Sequence, residues 1–461
     1  MDMGTVRNLM EVLWKKYEYA SILHIKSEGK KYSASGQGLS GAREKLYCQD
    51  GYVIKAYGKG RYAEYSFNEL KEGMAEDIMS VLDAIFEDTE ELPGDEYEIL
   101  MESEESLFTE NKIHDDPRVI GDEKILECLK DIREAALKID GRLKDCRVNA
   151  AYKYCEEYFL SPKRELSQKI MWMTGHLFMM VKKGEEMKSY FEGFSNLDGA
   201  GVLDEMKEAV PTVAAEALKL IDSESITPGE YECVCAPDVT GIIVHEAFGH
   251  GVEMDMFVKD RALAREYIGK PVASELVTMH DGAAAAVEAA SYTFDDEGSP
   301  ATDTVIIEKG ILKTGISDSL TALSLKSGFT GNGRRESFER KAYTRMTNTF
   351  FEGGKDTPEA MIASVKYGFL LENATCGMED PKNWGIQCMV NVAKEIRDGK
   401  LTGRLFSPVV LSGYVPDLLK SISMMSGNVK LSGSGFCGKG YKEWVKVSDG
   451  GPYIKAKIKL G

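Results

Sequence analysis

Apolar residues recur every three or four positions at Val6, Leu9, Met10, Leu13, Trp14 and Tyr17, the period of a helix with one buried face. A helix is therefore expected over Val6 to Tyr19, followed by a strand from Ser21 to Ile25. From Lys30 to Phe67 short runs (Lys45 to Cys48, Gly51 to Ala56, Arg61 to Ser66) alternate with glycines, which predicts an antiparallel meander. Gly58-Lys59-Gly60 lacks the rest of a phosphate loop and reads as a tight turn. A second helix is expected over Asn68 to Phe86, capped by Asn68 and packed through Leu70, Met74, Ile78, Leu82 and Ile85. Glu87 to Glu110 is rich in acid and holds no Lys or Arg, the pattern of a solvated linker. Asp122 to Ile139 is again amphipathic, with Ile125, Leu129, Ile132 and Ala136 on one face. Cys146 to Val181 alternates as paired strands do. Val202 to Ile221 has helical spacing, with Pro211 as a bend or a second start.

Pro228-Gly229 marks a further boundary. Glu230 to Ala236 reads as a strand and Asp238 as the cap of a helix that follows at once. Beyond Asp255 the chain is glycine-rich, with short strands at Thr304–Glu308, Ile311–Ile316, Val409–Ser412, Val429–Leu431 and Tyr453–Lys459, and helices at Met361–Tyr367 and Val415–Met425. The expected class is α+β: an N-terminal α/β region with an antiparallel sheet, and a β-rich C-terminal domain carrying a metal-binding helix. The expected units are residues 1–110, 111–225 and 226–461.

The chemistry concentrates in Val244-His245-Glu246-Ala247-Phe248-Gly249-His250-Gly251. Imidazole is the commonest protein metal ligand, and Glu is the usual base beside a metal-activated water. In the common zinc-peptidase pattern the histidines are four apart on one helix face. Here they are five apart, which on a regular helix rotates the second ring by roughly 140°. A π-bulge would bring the rings back together, and Gly249 and Gly251 ease such a distortion. The helix is therefore expected to widen or end at His250.

A catalytic zinc needs a third protein ligand and an open position. Glu253, Asp255, His280, Asp295, Asp296, Glu297 and several cysteines are all chemically able to supply it. Cys437, in Ser432-Gly433-Ser434-Gly435-Phe436-Cys437-Gly438-Lys439-Gly440, is the best distant candidate, because flanking glycines expose the thiol; an incidental Cys in a glycine-rich turn fits the same residues. Cys233 and Cys235, two apart on a strand, read as core thiols. Arg334 and Arg335 could clamp a substrate carboxylate or carbonyl, or make ion pairs in a surface turn.

Composition narrows the setting. The formal charge of −18 argues against nucleic acid or an anionic membrane as a partner. Nine cysteines, an odd number without a disulfide-like spacing, suggest a reducing cytoplasm. No signal-peptide pattern or membrane-spanning apolar run is visible, so the expectation is a soluble cytoplasmic protein.

The chain resembles the TldD/PmbA family of metallopeptidases, on the TldD side. The resemblance rests on His245 to Gly251, Asp295-Asp296-Glu297-Gly298-Ser299-Pro300, Thr330 to Ser337, Arg345-Met346-Thr347-Asn348-Thr349 and Cys437-Gly438-Lys439. It implies that His245, His250 and Cys437 bind Zn2+ and that Glu246 is the general base. It also implies peptide substrates, taken extended into an enclosed cavity, and a dimer, either a homodimer or a heterodimer with a PmbA/TldE-type subunit. Met378 to Gly385, and Tyr441 to Val445 after Cys437, depart from the family pattern. A non-catalytic peptide-binding module, or a metal hydrolase of another amide, are the alternatives.

Overall fold

A computed structural model of the chain describes residues 2–90, 96–440 and 443–461. Helix α1 (Met3–Lys16) is capped by Asp2, whose carboxylate accepts from the Gly4 N–H, and it buries Val6, Leu9, Met10 and Leu13 as the periodicity predicts. Strands β1 (Tyr19–Ser35), β2 (Gly38–Arg43), β3 (Gln49–Gly58) and β4 (Arg61–Phe67) form the meander. Lys45 to Tyr47 is a 3₁₀ turn between β2 and β3, not a strand. Helix α2 (Ala75–Glu90) starts later than expected. Gly73 takes a positive φ just before it, so Asn68 lies outside the helix and does not cap it.

The acidic segment is more than a linker. Part of it, residues 91–95, lies outside the described residues, but its end forms β5 (Glu105–Glu110), which pairs parallel with residues 164–169. The short α3 (Pro117–Ile120) precedes α4 (Asp122–Ile139), which has the expected bounds. Three long strands follow, β6 (Leu143–Leu160), β7 (Arg164–Lys183) and β8 (Glu186–Asn196), then α5 (Val202–Leu220) with Pro211 inside it. The sheet order is β4-β3-β1-β6-β7-β5, with β2 on β1 and β8 on β7. The expected division at residue 110 thus falls at the end of a strand bonded to β7, and the first two expected units share one sheet.

Alternation along β1 assigns its two faces. Ala20, Ile22, Tyr32 and Ala34 point toward the helices, packing with α1 and α2 at one end and α4 and α5 at the other. Leu23 and Ile25 point the other way and pack against Phe294 and Phe338 of the C-terminal region. The second face is therefore a seat for the part of the chain that carries the metal motif.

That part begins with β9 (Gly229–Cys235), followed at once by α6 (Pro237–Val244). Strands Tyr367–Asp380, β9, Ile454–Leu460, Val409–Tyr414 and Gly385–Arg397 pair in this order, and the last pairs back to the first, closing a ring. Cys233 and Cys235 are fully buried in its core. Pro237 occupies the first turn of α6, and Asp238 does not cap the helix; its carboxylate accepts the Ala374 N–H at 2.9 Å instead. The expected helices at 361–367 and 415–425 are Pro358–Ala363 and Val415–Lys420. The strand expected over 311–316 covers Ile311–Leu312.

Candidate metal centre

The helix widens where the histidine spacing requires it. Residues His245–Gly249 form a π turn, and the His250 N–H donates to the His245 carbonyl, so the wide hydrogen bond joins the two histidines themselves. Their rings stand 5.1 Å apart and nearly perpendicular. Gly249 has a packing reason as well: a Cβ there would sit 2.1 Å from the Met346 sulfur. Gly241 likewise lets α6 press onto Ser448–Gly451, since a Cβ would lie 2.6 Å from Asp449 Oδ1.

Cys437 arrives from the far end of the chain. Strand Phe436–Lys439 pairs antiparallel with Glu443–Lys446, and the buried Arg345 guanidinium ties the hairpin down by donating to the carbonyls of Cys437 (2.7 Å) and Glu443 (2.8 Å). Of this hairpin's turn, Tyr441 and Lys442 lie outside the described residues. One donor atom each from His245, His250 and Cys437 lies within 4.8 Å of the others. Cys437 Sγ is 3.2 Å from His250 Nε2. Burial opposes a thiolate here, but the two imidazoles outweigh it and hold the Cys437 thiol well below its ordinary range. Burial likewise opposes charge on His250, and Cys437 and Glu253 overcome it. Two imidazoles and a thiolate are a zinc donor set, and three protein donors leave one tetrahedral position open.

The alternative third donors lie elsewhere. Glu253 takes His250 from behind: its Oε2 is 3.1 Å from Nδ1, which leaves Nε2 facing Cys437. Burial would raise the Glu253 carboxyl, but Lys439, His250 and Arg345 hold it well below the usual carboxylate range. Lys439 Nζ lies 3.0 Å from Glu253 and 2.7 Å from Asp255. His280 lies between Asp303 (2.6 Å) and Glu352 (2.9 Å). Asp295 accepts the N–H groups of Glu297, Ser299 and Gly333, while Glu297 pairs with Lys55. His245 Nδ1 is buried without a hydrogen-bond partner, 3.8 Å from Asp449 Oδ2.

Residues 228–459 match the PmbA/TldA metallopeptidase C-terminal domain. The chain belongs to this family. A metalloprotease of Methanocaldococcus jannaschii is 34% identical over 239 residues, 52% of each chain. A zinc metalloprotease TldD homolog of Saccharolobus solfataricus is 27% identical over 310 residues, 66% of this chain and 68% of that one. The chain spans about half the length of the first curated relatives it matches. The fold is also that of TldE from Thermococcus kodakarensis, at a TM-score of 0.76 and 17% identity over 99% of this chain and all of the other.

Glu246 is buried in the family's histidine motif, between the two histidines. Burial raises its carboxyl, against the pull of both imidazoles. Gly377 lies directly on it: a Cβ at 377 would be 2.4 Å from Glu246 Cγ. Two residues further along the same strand face, Glu379 has a buried carboxylate oxygen without a partner, and burial pushes it up to about 8. Motif spacing gave no reason to single out Glu253, Gly377 or Glu379 for these roles. The motif arginines divide. Arg335 is taken by Glu64 (2.7 Å) and the Arg340 carbonyl. Arg334 donates to the Met346 carbonyl and lies over the Tyr292 ring.

Proposed function

We infer that this chain is a zinc-dependent peptidase acting on short or unfolded peptides. The observation that carries this reading is the meeting of one donor atom each from His245, His250 and Cys437, with Glu246 on the π turn between the histidines. His245, His250 and Cys437 would hold the zinc, which would supply a Lewis acid to acidify a water molecule and polarise the peptide carbonyl. Glu246 accepts the proton of that water on its carboxylate and passes it to the leaving amine nitrogen. Glu253 fixes the His250 ring, and Arg345 fixes the Cys437 backbone. Arg334 is the better substrate contact of the two motif arginines, because Glu64 occupies Arg335.

Peptides would lie extended, adding a strand to a sheet edge inside an enclosed cavity. The assembly on this reading is a dimer, either of this chain or with a TldE-type subunit. No helix among the described residues is long and apolar enough to cross a membrane. The nine cysteines are all free, in keeping with a reducing cytoplasm. The test is Glu246→Gln. It keeps about one zinc per chain and loses at least about a hundredfold in peptide turnover; cleavage at the wild-type rate overturns the mechanism.

A further inference from the structure

A cavity of about 400 Å³ lies between the second face of the N-terminal sheet and the hairpin that carries Cys437. This volume is within the range of small-ligand pockets. Its walls include Tyr47, Trp172 and Phe436, packed on one another with ring centroids 5.1 to 6.0 Å apart. Phe436, on this cavity, is the neighbour in sequence of Cys437, in the metal centre, so the two sites share one strand.

Two cations line the cavity without a carboxylate. Lys446 is only 6% exposed, and its ammonium meets the Gly435 carbonyl at 3.1 Å and the faces of Trp172 and Phe436. Arg334 meets the Met346 carbonyl and the Tyr292 ring. Among the described residues no carboxylate stands within ion-pair distance of either. The acids on the same walls are engaged. Asp295 accepts three N–H groups, Asp296 accepts the Arg335 N–H, Glu157 accepts from Gln168, and Glu336 accepts the Trp444 N–H. Lys153 acts on Glu157 and Asp296. A buried ammonium is costly without a counter-charge. Glu288 and Asp449 act on Lys446, and Asp296 on Arg334, only from beyond ion-pair distance; two cations without a direct partner thus face an aromatic wall, which matches a carboxylate attached to a bulky apolar group.

We propose that this cavity anchors the C-terminal end of a peptide, with Lys446 and Arg334 binding its carboxylate and the Tyr47–Trp172–Phe436 wall receiving an apolar or aromatic last side chain. The carboxylate completes charge-assisted hydrogen bonds that the fold leaves open. The proposal deepens the peptidase reading and rests on it only for calling the peptide a substrate; binding itself needs no turnover.

The test uses zinc-loaded full-length Glu246→Gln, so that a bound peptide is not cleaved. Its probes are N-acetylated tetra-alanyl-phenylalanine as the free acid and as the carboxamide. Affinity is read by calorimetry and by tryptophan fluorescence, since Trp172 and Trp444 line the cavity. The free acid binds about tenfold or more tighter than the amide, and the preference falls below about twofold when Lys446→Met or Arg334→Met is added. Equal affinity for acid and amide, binding of neither, or a preference that survives both substitutions overturns the anchor. The acid-to-amide comparison needs no cavity variant, so a misfolded variant does not shield the proposal. Turnover of the wild type judges the peptidase reading separately.

Discussion

Gly377 lies against the side chain of Glu246, and a Cβ added at 377 would stand 2.4 Å from Glu246 Cγ and 3.0 Å from Oε1. Gly377 stands opposite Cys388 in the antiparallel ladder that joins Tyr367–Asp380 to Gly385–Arg397, and this ladder holds its strand in place. Gly377→Ala therefore displaces the carboxylate rather than the strand. Turnover falls by about tenfold to a hundredfold, the order of loss expected from a misplacement approaching 1 Å, while zinc content stays at the wild-type level. Steady-state kinetics beside elemental analysis check both halves.

The contact between Glu253 and His250 makes a different demand. Glu253→Gln keeps the shape but removes the charge that fixes the ring and opposes Lys439 and Arg345. Zinc affinity falls by about 10- to 100-fold, as is usual when a ligand's outer partner is lost. A competition titration against a chelator reads this directly. An unchanged affinity would remove Glu253 from the site.

Much of this site was legible in the sequence, and the limits are physical. The five-residue histidine spacing does not easily serve one metal on a regular helix, so a helix that widens or ends at His250 is expected, and of the two the structure shows the widening, a π turn at His245–Gly249. The strict periodicity of Ile125, Leu129, Ile132 and Ala136 fixed α4. Strand β1 was longer than its apolar run, because its second half alternates Tyr32 and Ala34 with polar residues and its pairing with β6 supplies what the pattern does not. β5 hid in an acidic stretch, since a mostly exposed edge strand needs few apolar residues. Glu253 is among the chemically possible metal ligands on sequence grounds, and spacing does not show that its carboxylate meets His250 Nδ1 and Lys439, a residue far along the chain.

Lys55 and Glu297 join the N-terminal sheet to the C-terminal region, with a 2.5 Å contact at 7% and 3% side-chain exposure. The Lys55 ammonium and Ser319 overcome burial and bring the Glu297 carboxyl down to about 2. Lys55→Met strands that charge and costs about 3–5 kcal/mol in urea unfolding. The exposed pair Lys16–Asp83 is the contrast: Lys16→Met costs less than about 1 kcal/mol.

Acid stability has a specific contributor in His176, which burial, helped by Lys446, pushes down to about 4. In the unfolded chain it titrates near 6.5. Between these values the unfolded state binds the extra proton, so stability is fully present above about pH 6.5 and falls as pH drops toward 4. His176→Phe, which keeps the stacking on Phe191, reduces the stability lost between pH 7 and pH 5 by about 1–2 kcal/mol. Urea unfolding at both pH values measures it; an unchanged loss would assign the acid sensitivity to other groups.

The union of His245, His250 and Cys437 in one zinc centre is tested most directly by elemental analysis of the purified wild type beside Cys437→Ala. The account predicts about one zinc per chain in the wild type and its loss from the variant, because two imidazoles alone leave the site short of its third ligand. Zinc retained in full by Cys437→Ala would contradict it, and would separate the cysteine hairpin from the histidine turn.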